Sequence, residues 1–144
     1  MKFLMKAVIV CSLSLGTVAF AEATDPNVIA RQDVMKTLGK NAKILGDMAG
    51  GKTAFDAAGA EAAKAALVAA AAEIPAKFET EAMDDDSKAK PEIWTNWDDF
   101  VAKGNALATA AGAIDTASIE SIGAGMGGVG GACGACHKAY RAEN

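Results

Sequence analysis

The stretch Asp115–Arg141, DTASIESIGAGMGGVGGACGACHKAYR, decides how the rest of the chain is read. Ile119, Ile122, Met126, Val129, Cys133, Cys136 and Tyr140 recur three and four residues apart, the spacing of one face of an α-helix. Asp115 or Thr116 is expected to cap its start. Near its end stands Cys133-Gly134-Ala135-Cys136-His137, a C-x-x-C-H motif, the attachment signature of a c-type haem. On a helix, positions i, i+3 and i+4 share one face. The two thiols can then bond to the two vinyl groups of one haem, and the imidazole is delivered to the iron from that same face. Covalent attachment keeps a cofactor from being lost outside the cell.

Other readings of these residues fare worse. A structural zinc site needs four ligands. Once the N-terminal segment is set aside, the chain offers two cysteines and one histidine. A thioredoxin-like redox pair needs a βαβ context, and no strand-like alternation is found along the chain. Gly125, Gly127 and Gly130 spell G-x-G-x-x-G, but a dinucleotide fingerprint needs a preceding strand. Seven glycines lie between Gly123 and Gly134. They read either as a flexible loop or as a helix whose missing side chains admit a flat macrocycle or a neighbouring helix. The helix is the preferred reading, at a cost of roughly 1 kcal/mol per Gly relative to Ala.

Working outward, three more helical segments precede this one. The first opens at Thr24-Asp25-Pro26, with Asp25 as N-cap and Pro26 at the first helical position. Val28, Met35, Leu38, Ala42, Leu45 and Ala49 form its apolar stripe, and Gly50-Gly51 stops it. The second runs from about Asp56 to Phe78 and is nearly saturated with Ala; Pro75 predicts an end or a kink close by. A polar loop follows, Met83 to Pro91. The third starts near Pro91 and carries Ile93, Trp97, Phe100, Gly104, Leu107 and Ala111 on one stripe, widened by Trp94, Val101 and Ala108, and ends at Gly112. Trp94 and Trp97 read as core residues rather than electron relays. Four such segments predict an all-α fold, an antiparallel up-down four-helix bundle with covalently bound haem.

Residues 1–21 read as a secretory signal peptide. Lys2 and Lys6 supply the positive start, Ala7 to Val18 the apolar run, and Ala19-Phe20-Ala21 the cleavage site. The uncharged run is shorter than the ~20 residues a membrane span needs, so no membrane anchor is expected, and Cys11 is discarded with the signal. The remaining 22–144 form one domain with 12 basic and 18 acidic residues, a net charge of −6. The pI near 4.9 argues against a nucleic-acid partner. An acidic exported domain would be steered toward basic patches on redox partner proteins. With His137 the only histidine, peroxidase-like chemistry lacks a distal acid–base residue, and no enzymatic activity is expected.

The chain resembles the cytochrome c′ superfamily, nearest in pattern to the low-spin cytochrome c-556 type. The resemblance rests on Cys133-Gly134-Ala135-Cys136-His137-Lys138-Ala139-Tyr140-Arg141 close to the C-terminus. It also rests on Arg31-Gln32-Asp33-Val34-Met35-Lys36, on Pro91-Glu92-Ile93-Trp94 and on Gly130-Gly131-Ala132. It covers about 22–144 and implies one covalently bound haem c per chain, in a periplasmic protein. By resemblance, Cys133 and Cys136 are the thioether attachments and His137 the proximal iron ligand. Arg141 lies beside that ligand, and Arg31 and Gln32 line the haem edge near a propionate. Met35 takes the distal position. As an iron ligand it implies a single-electron carrier. As a steric lid it implies the alternative, a high-spin protein with an open sixth site that binds nitric oxide or carbon monoxide. Met48, Met83 and Met126 are weaker candidates. Homodimers through the first two helices are common in such proteins, and the Ala-rich second helix would allow that close contact.

Overall fold

The computed structural model describes residues 22–143. The expected signal peptide and Cys11 lie outside the described residues. Within them the chain forms α1 (Pro26–Ala49), α2 (Ala57–Phe78), α3 (Glu92–Thr95), α4 (Trp97–Gly112) and α5 (Ile119–Tyr140). The four long helices close a ring of contacts: α1 on α2, α2 on α4, α4 on α5, and α5 back on α1. The expected four-helix bundle is the fold observed.

Local chemistry sets most of the boundaries. Asp25 caps α1 by accepting from the N–H groups of Asn27 and Val28, with Pro26 at the first helical position. Asp56 caps α2 through the Ala58 N–H. Alanines 60, 63, 70 and 71 are buried together with Leu67, Ile74 and Phe78. Small side chains there let α1 and α4 approach closely, while Leu45, Ile122 and Val129 fill the centre. Pro75 is accommodated inside α2, which ends three residues later at Phe78.

Two boundaries differ from the sequence reading. The third segment is not continuous from Pro91. It breaks at Asn96, whose backbone leaves the helical region at φ −122° and ψ 45°, so the single turn α3 is set off from α4. That turn buries Ile93 and directs the Trp94 indole N–H to the Phe78 carbonyl at 2.8 Å. The fourth helix is capped by Ser118, not by Asp115 or Thr116. Ser118 and Ser121 form a reciprocal capping box. Asp115 is spent instead on the Ala117 N–H, and Thr116 on Glu61.

The glycine-rich run is helical throughout. Only at Gly125 is its lack of a side chain demanded by packing: a Cβ there would stand 3.0 Å from Ile114 Cγ1 and 3.2 Å from Ile114 Cα. Gly127, Gly130, Gly131 and Gly134 face open space.

Candidate functional site

The first half of α1, the ends of α2 and α5, the α3 turn, the first turn of α4 and the loop after α2 border an open cavity of about 590 Å³. That is within the ~300–1,000 Å³ typical of small-molecule and cofactor pockets. Val28, Phe78, Ile93 and Phe100 form its apolar floor. Cys136, His137 and Arg141 border it from the end of α5, and Arg31, Gln32 and Met35 from the first half of α1. Six of the seven sequence-predicted site residues therefore meet at one cavity. The seventh, Cys133, lies one turn earlier on α5, half-buried against the core and outside the lining.

The electrostatics suit a neutral ligand set. His137 is exposed, yet it is one of the residues that border the cavity. Partial desolvation, and then the Arg141 charge, hold its imidazole below the ordinary value. A neutral imidazole is the form that binds a metal. Burial pushes the Cys133 thiol up. Burial also raises Cys136, with opposition from Lys103 and support from Cys133 and Asp99. Both thiols are free, although they sit one turn apart.

Arg31 serves the structure more than the sequence suggested. It is 3% exposed. Its Nε donates to the Lys77 carbonyl at 3.4 Å and Nη1 to the Ala82 carbonyl at 2.7 Å; Nη2 donates to Thr80. The guanidinium carbon lies 5.2 Å from the Phe78 ring centroid and 4.9 Å from that of Trp94. The last carbonyls of a helix have no partner within it and carry partial negative charge. Arg31 supplies a cation and donors there and ties α1 to the end of α2. Burial lowers its pKa, against the nearby charges of Asp25 and Glu81. Gln32 binds across to the loop, its amide donating to Asp86 at 2.7 Å.

The sequence reading missed the wall made by that loop. Asp86, Ser87, Lys88 and Ala89 line the cavity. The loop is held at both ends. Asp84 accepts from the N–H groups of Thr24 at 3.0 Å and Asp25 at 3.2 Å. At the far end, Lys90 N–H donates to the Tyr140 carbonyl at 2.9 Å and Ala142 N–H to that of Lys88 at 2.8 Å. These bonds join segments 50 to 60 residues apart, so no local pattern signals them. Tyr140, read only as a stripe residue, also lines the cavity. Its hydroxyl donates to Asp99, and that bond, with burial and the Asp99 charge, pushes its pKa up to about 12.

The sequence profile of the family described as Cytochrome C′ matches residues 27–141. The chain belongs to the cytochrome c′ family. This is a family of electron-transfer haem proteins whose members carry covalently bound haem c. A curated relative, cytochrome c-556 of Agrobacterium fabrum, is 36% identical over 84 residues, 58% of this chain and 57% of that protein. The chain thus matches just over half the length of that relative. Among solved structures, cytochrome c′ from Rhodobacter sphaeroides is 30% identical with a TM-score of 0.75, covering 82% of this chain and 96% of the other. A nitric oxide complex of a cytochrome c′ variant from Alcaligenes xylosoxidans is 28% identical with a TM-score of 0.71, covering 81% and 94%.

The residues present fit such a cofactor. An apolar cavity bordered by an imidazole, a thiol and a thioether suits a flat macrocycle with a central metal. Among the described residues no three His, Cys, Asp or Glu side chains converge on a metal position, so an all-protein zinc cage is absent there. No described helix is long and apolar enough to cross a membrane.

Proposed function

We propose that this chain, exported by its first 21 residues, is a c-type cytochrome that carries single electrons, its domain spanning 22–144. Cys133 and Cys136 hold one haem c covalently, and His137 and Met35 are the axial ligands. The observation that carries this reading is that Met35 on α1 and His137 on α5 border the same cavity. Bound haem supplies a one-electron iron couple.

The protein's part follows from its own residues. Arg31 locks α1 against the end of α2. Met35, four residues on, lies on the same face of α1 and is half-buried against the core. A thioether held in place this way needs little rearrangement between oxidation states. His/Met ligation also raises the potential relative to other axial pairs. The apolar floor of Val28, Phe78, Ile93 and Phe100 excludes water beneath the site.

The structural likeness to a nitric oxide complex favours a second reading, in which Met35 only lids the sixth position. Near-infrared spectra of the oxidised holoprotein separate the two. A sulfur-to-iron charge-transfer band that disappears in Met35→Ala supports the carrier. A high-spin spectrum with ready carbon monoxide binding supports the lid. For the attachment itself, acidic acetone should extract no haem from the wild type. It should release haem from a Cys133→Ala/Cys136→Ala double variant.

A further inference from the structure

A ligating histidine is usually oriented by a partner on its other ring nitrogen. Among the described residues no protein group hydrogen-bonds the imidazole of His137; its main-chain carbonyl accepts from the Arg141 N–H at 3.0 Å. The placement of the ring therefore follows the placement of the last turn of α5.

Tyr140 anchors that turn. It stands three residues after His137 and four after Cys136, on their side of the helix, and is 6% exposed. Its ring meets Phe100 of α4 edge-on, with centroids 5.4 Å apart at 85°. Phe100 is itself held between Phe78 at 5.1 Å and Trp97 at 5.6 Å. The Tyr140 carbonyl accepts from the Lys90 N–H at 2.9 Å, and Lys90 Nζ lies 3.4 Å from the Ala139 carbonyl. The hydroxyl reaches past the ring contact to α4. It donates to Asp99 Oδ2, and the Asn96 carbonyl stands 3.5 Å away.

Asp99 is an exposed partner for a buried phenol, and a free surface carboxylate would hold nothing in place. Two features restrain it. It lies in the first turn of α4 beside Asp98, where the helix dipole favours a negative charge. Lys103, one turn further on, pairs with the other oxygen, Oδ1, at 3.4 Å. One oxygen is thus tied along α4 and the other faces α5. A phenol donating to a carboxylate makes a charge-assisted bond, stronger than a neutral one.

We infer that Asp99, acting through Tyr140, is a positioning residue for His137: the phenol–carboxylate bond sets how the last turn of α5 presents its imidazole to the cavity. The inference rests on His137 as the iron ligand of the proposed carrier and is independent of whether Met35 ligates or lids. A functional group must be held to within about 0.5 Å of its working geometry. Releasing the phenol leaves Tyr140 its ring contact and its main-chain bond, so the helix stays packed while its end is freed.

The test uses the reduced holoprotein in a Met35→Ala background, where either reading of Met35 leaves the sixth position open and the iron–histidine stretch is visible by resonance Raman spectroscopy. Tyr140→Phe keeps the ring and removes the hydroxyl. Asp99→Ala removes the acceptor, and Asp99→Asn keeps an acceptor oxygen without the charge. Tyr140→Phe and Asp99→Ala should each broaden the band and shift it to lower frequency, because a less well-aimed imidazole binds iron more weakly. The double variant should add nothing to either single change, as expected of two groups that act through one bond. Asp99→Asn should keep most of the parent band position. An unmoved band overturns the inference, as do additive shifts. So does an Asp99→Asn shift equal to that of Asp99→Ala, which assigns the effect to charge. A lower thermal unfolding midpoint with the band in place also overturns it, since the bond then serves the fold alone. Failure of the underlying reading is distinct: the Met35→Ala parent itself shows no iron–histidine band, and the inference falls with the ligand assignment.

Discussion

Replacing Arg31 by Met keeps most of the apolar stem and removes the guanidinium that closes the end of α2. Three carbonyls, those of Lys77, Thr80 and Ala82, then lose their donor in a partly buried setting that water can reach in part. Hydrogen bonds to a charged group are worth about 1.5–3 kcal/mol each, and a cation between two rings adds about 1–2 kcal/mol. Against this stands the cost of burying the cation, which Met avoids. Water can reach part of these acceptors, so the net loss should be roughly 2–4 kcal/mol, a large share of a typical 5–15 kcal/mol. Urea unfolding of the holoprotein followed by circular dichroism measures it as a lower midpoint at unchanged slope. Arg31→Lys should lie between the two, since one ammonium cannot serve three diverging acceptors. If Arg31→Met costs less than about 1 kcal/mol, the three bonds to α2 and its loop are not what holds this corner.

Other perturbations separate neighbouring explanations. Gly127→Ala should stabilise by about 0.5–1 kcal/mol, because helix propensity improves and no atom lies within 4 Å of the new Cβ. Gly125→Ala should destabilise despite the same propensity gain, because its Cβ meets Ile114 at 3.0 Å; equal thermal shifts for the pair would contradict the packing described for α5. Ser118→Ala should cost about 1 kcal/mol by removing the capping box, whereas Thr116→Ala should cost little, and the reverse order in thermal unfolding would return the cap to Thr116. For Asp84, burial raises the pKa, but the N–H groups of Asp25, Thr24, Asp86 and Ser87 together outweigh it and hold the carboxyl below its usual value. A depressed folded pKa stabilises the protein above the unfolded value near ~4, and that stability is lost as pH falls through the folded value. Asp84→Asn should therefore flatten the acid limb of the stability–pH curve below about pH 4, and an unchanged limb would count against the loop anchor.

The parts of the fold that were legible from sequence were those fixed by neighbours in the chain. Asp25 before Pro26 marks the start of α1, and the three- and four-residue stripes mark the inward sides of α1, α4 and α5, although on α1 it is Val34, Asn41 and Met48 that are buried while Met35, Ala42 and Ala49 are only partly so. The start of α5 was misplaced because three capping residues crowd it. Asp115 closes a turn on Ala117 and Thr116 reaches Glu61, which leaves Ser118. The break at Asn96 was hidden because Ile93, Trp97 and Phe100 keep a helical stripe across it. Just before the break Trp94 is anchored to the Phe78 carbonyl, 16 residues back along the chain. At the site, Cys136 and His137 were legible from a local motif, and Met35 from family resemblance. The clamp by Arg31 was not, since its acceptors are main-chain carbonyls 46 to 51 residues away, which leave no signature in side-chain pattern. The loop wall at Asp86–Ala89 was hidden for the same reason.

The central claim, that Met35 and His137 close one cavity as a pair of ligands, is tested most directly by the near-infrared spectrum of the oxidised holoprotein beside that of Met35→Ala. The account predicts a low-spin wild type with a sulfur-to-iron charge-transfer band, and a high-spin variant that lacks the band and binds carbon monoxide. A wild type that is already high-spin, with a spectrum unmoved by Met35→Ala, would contradict it.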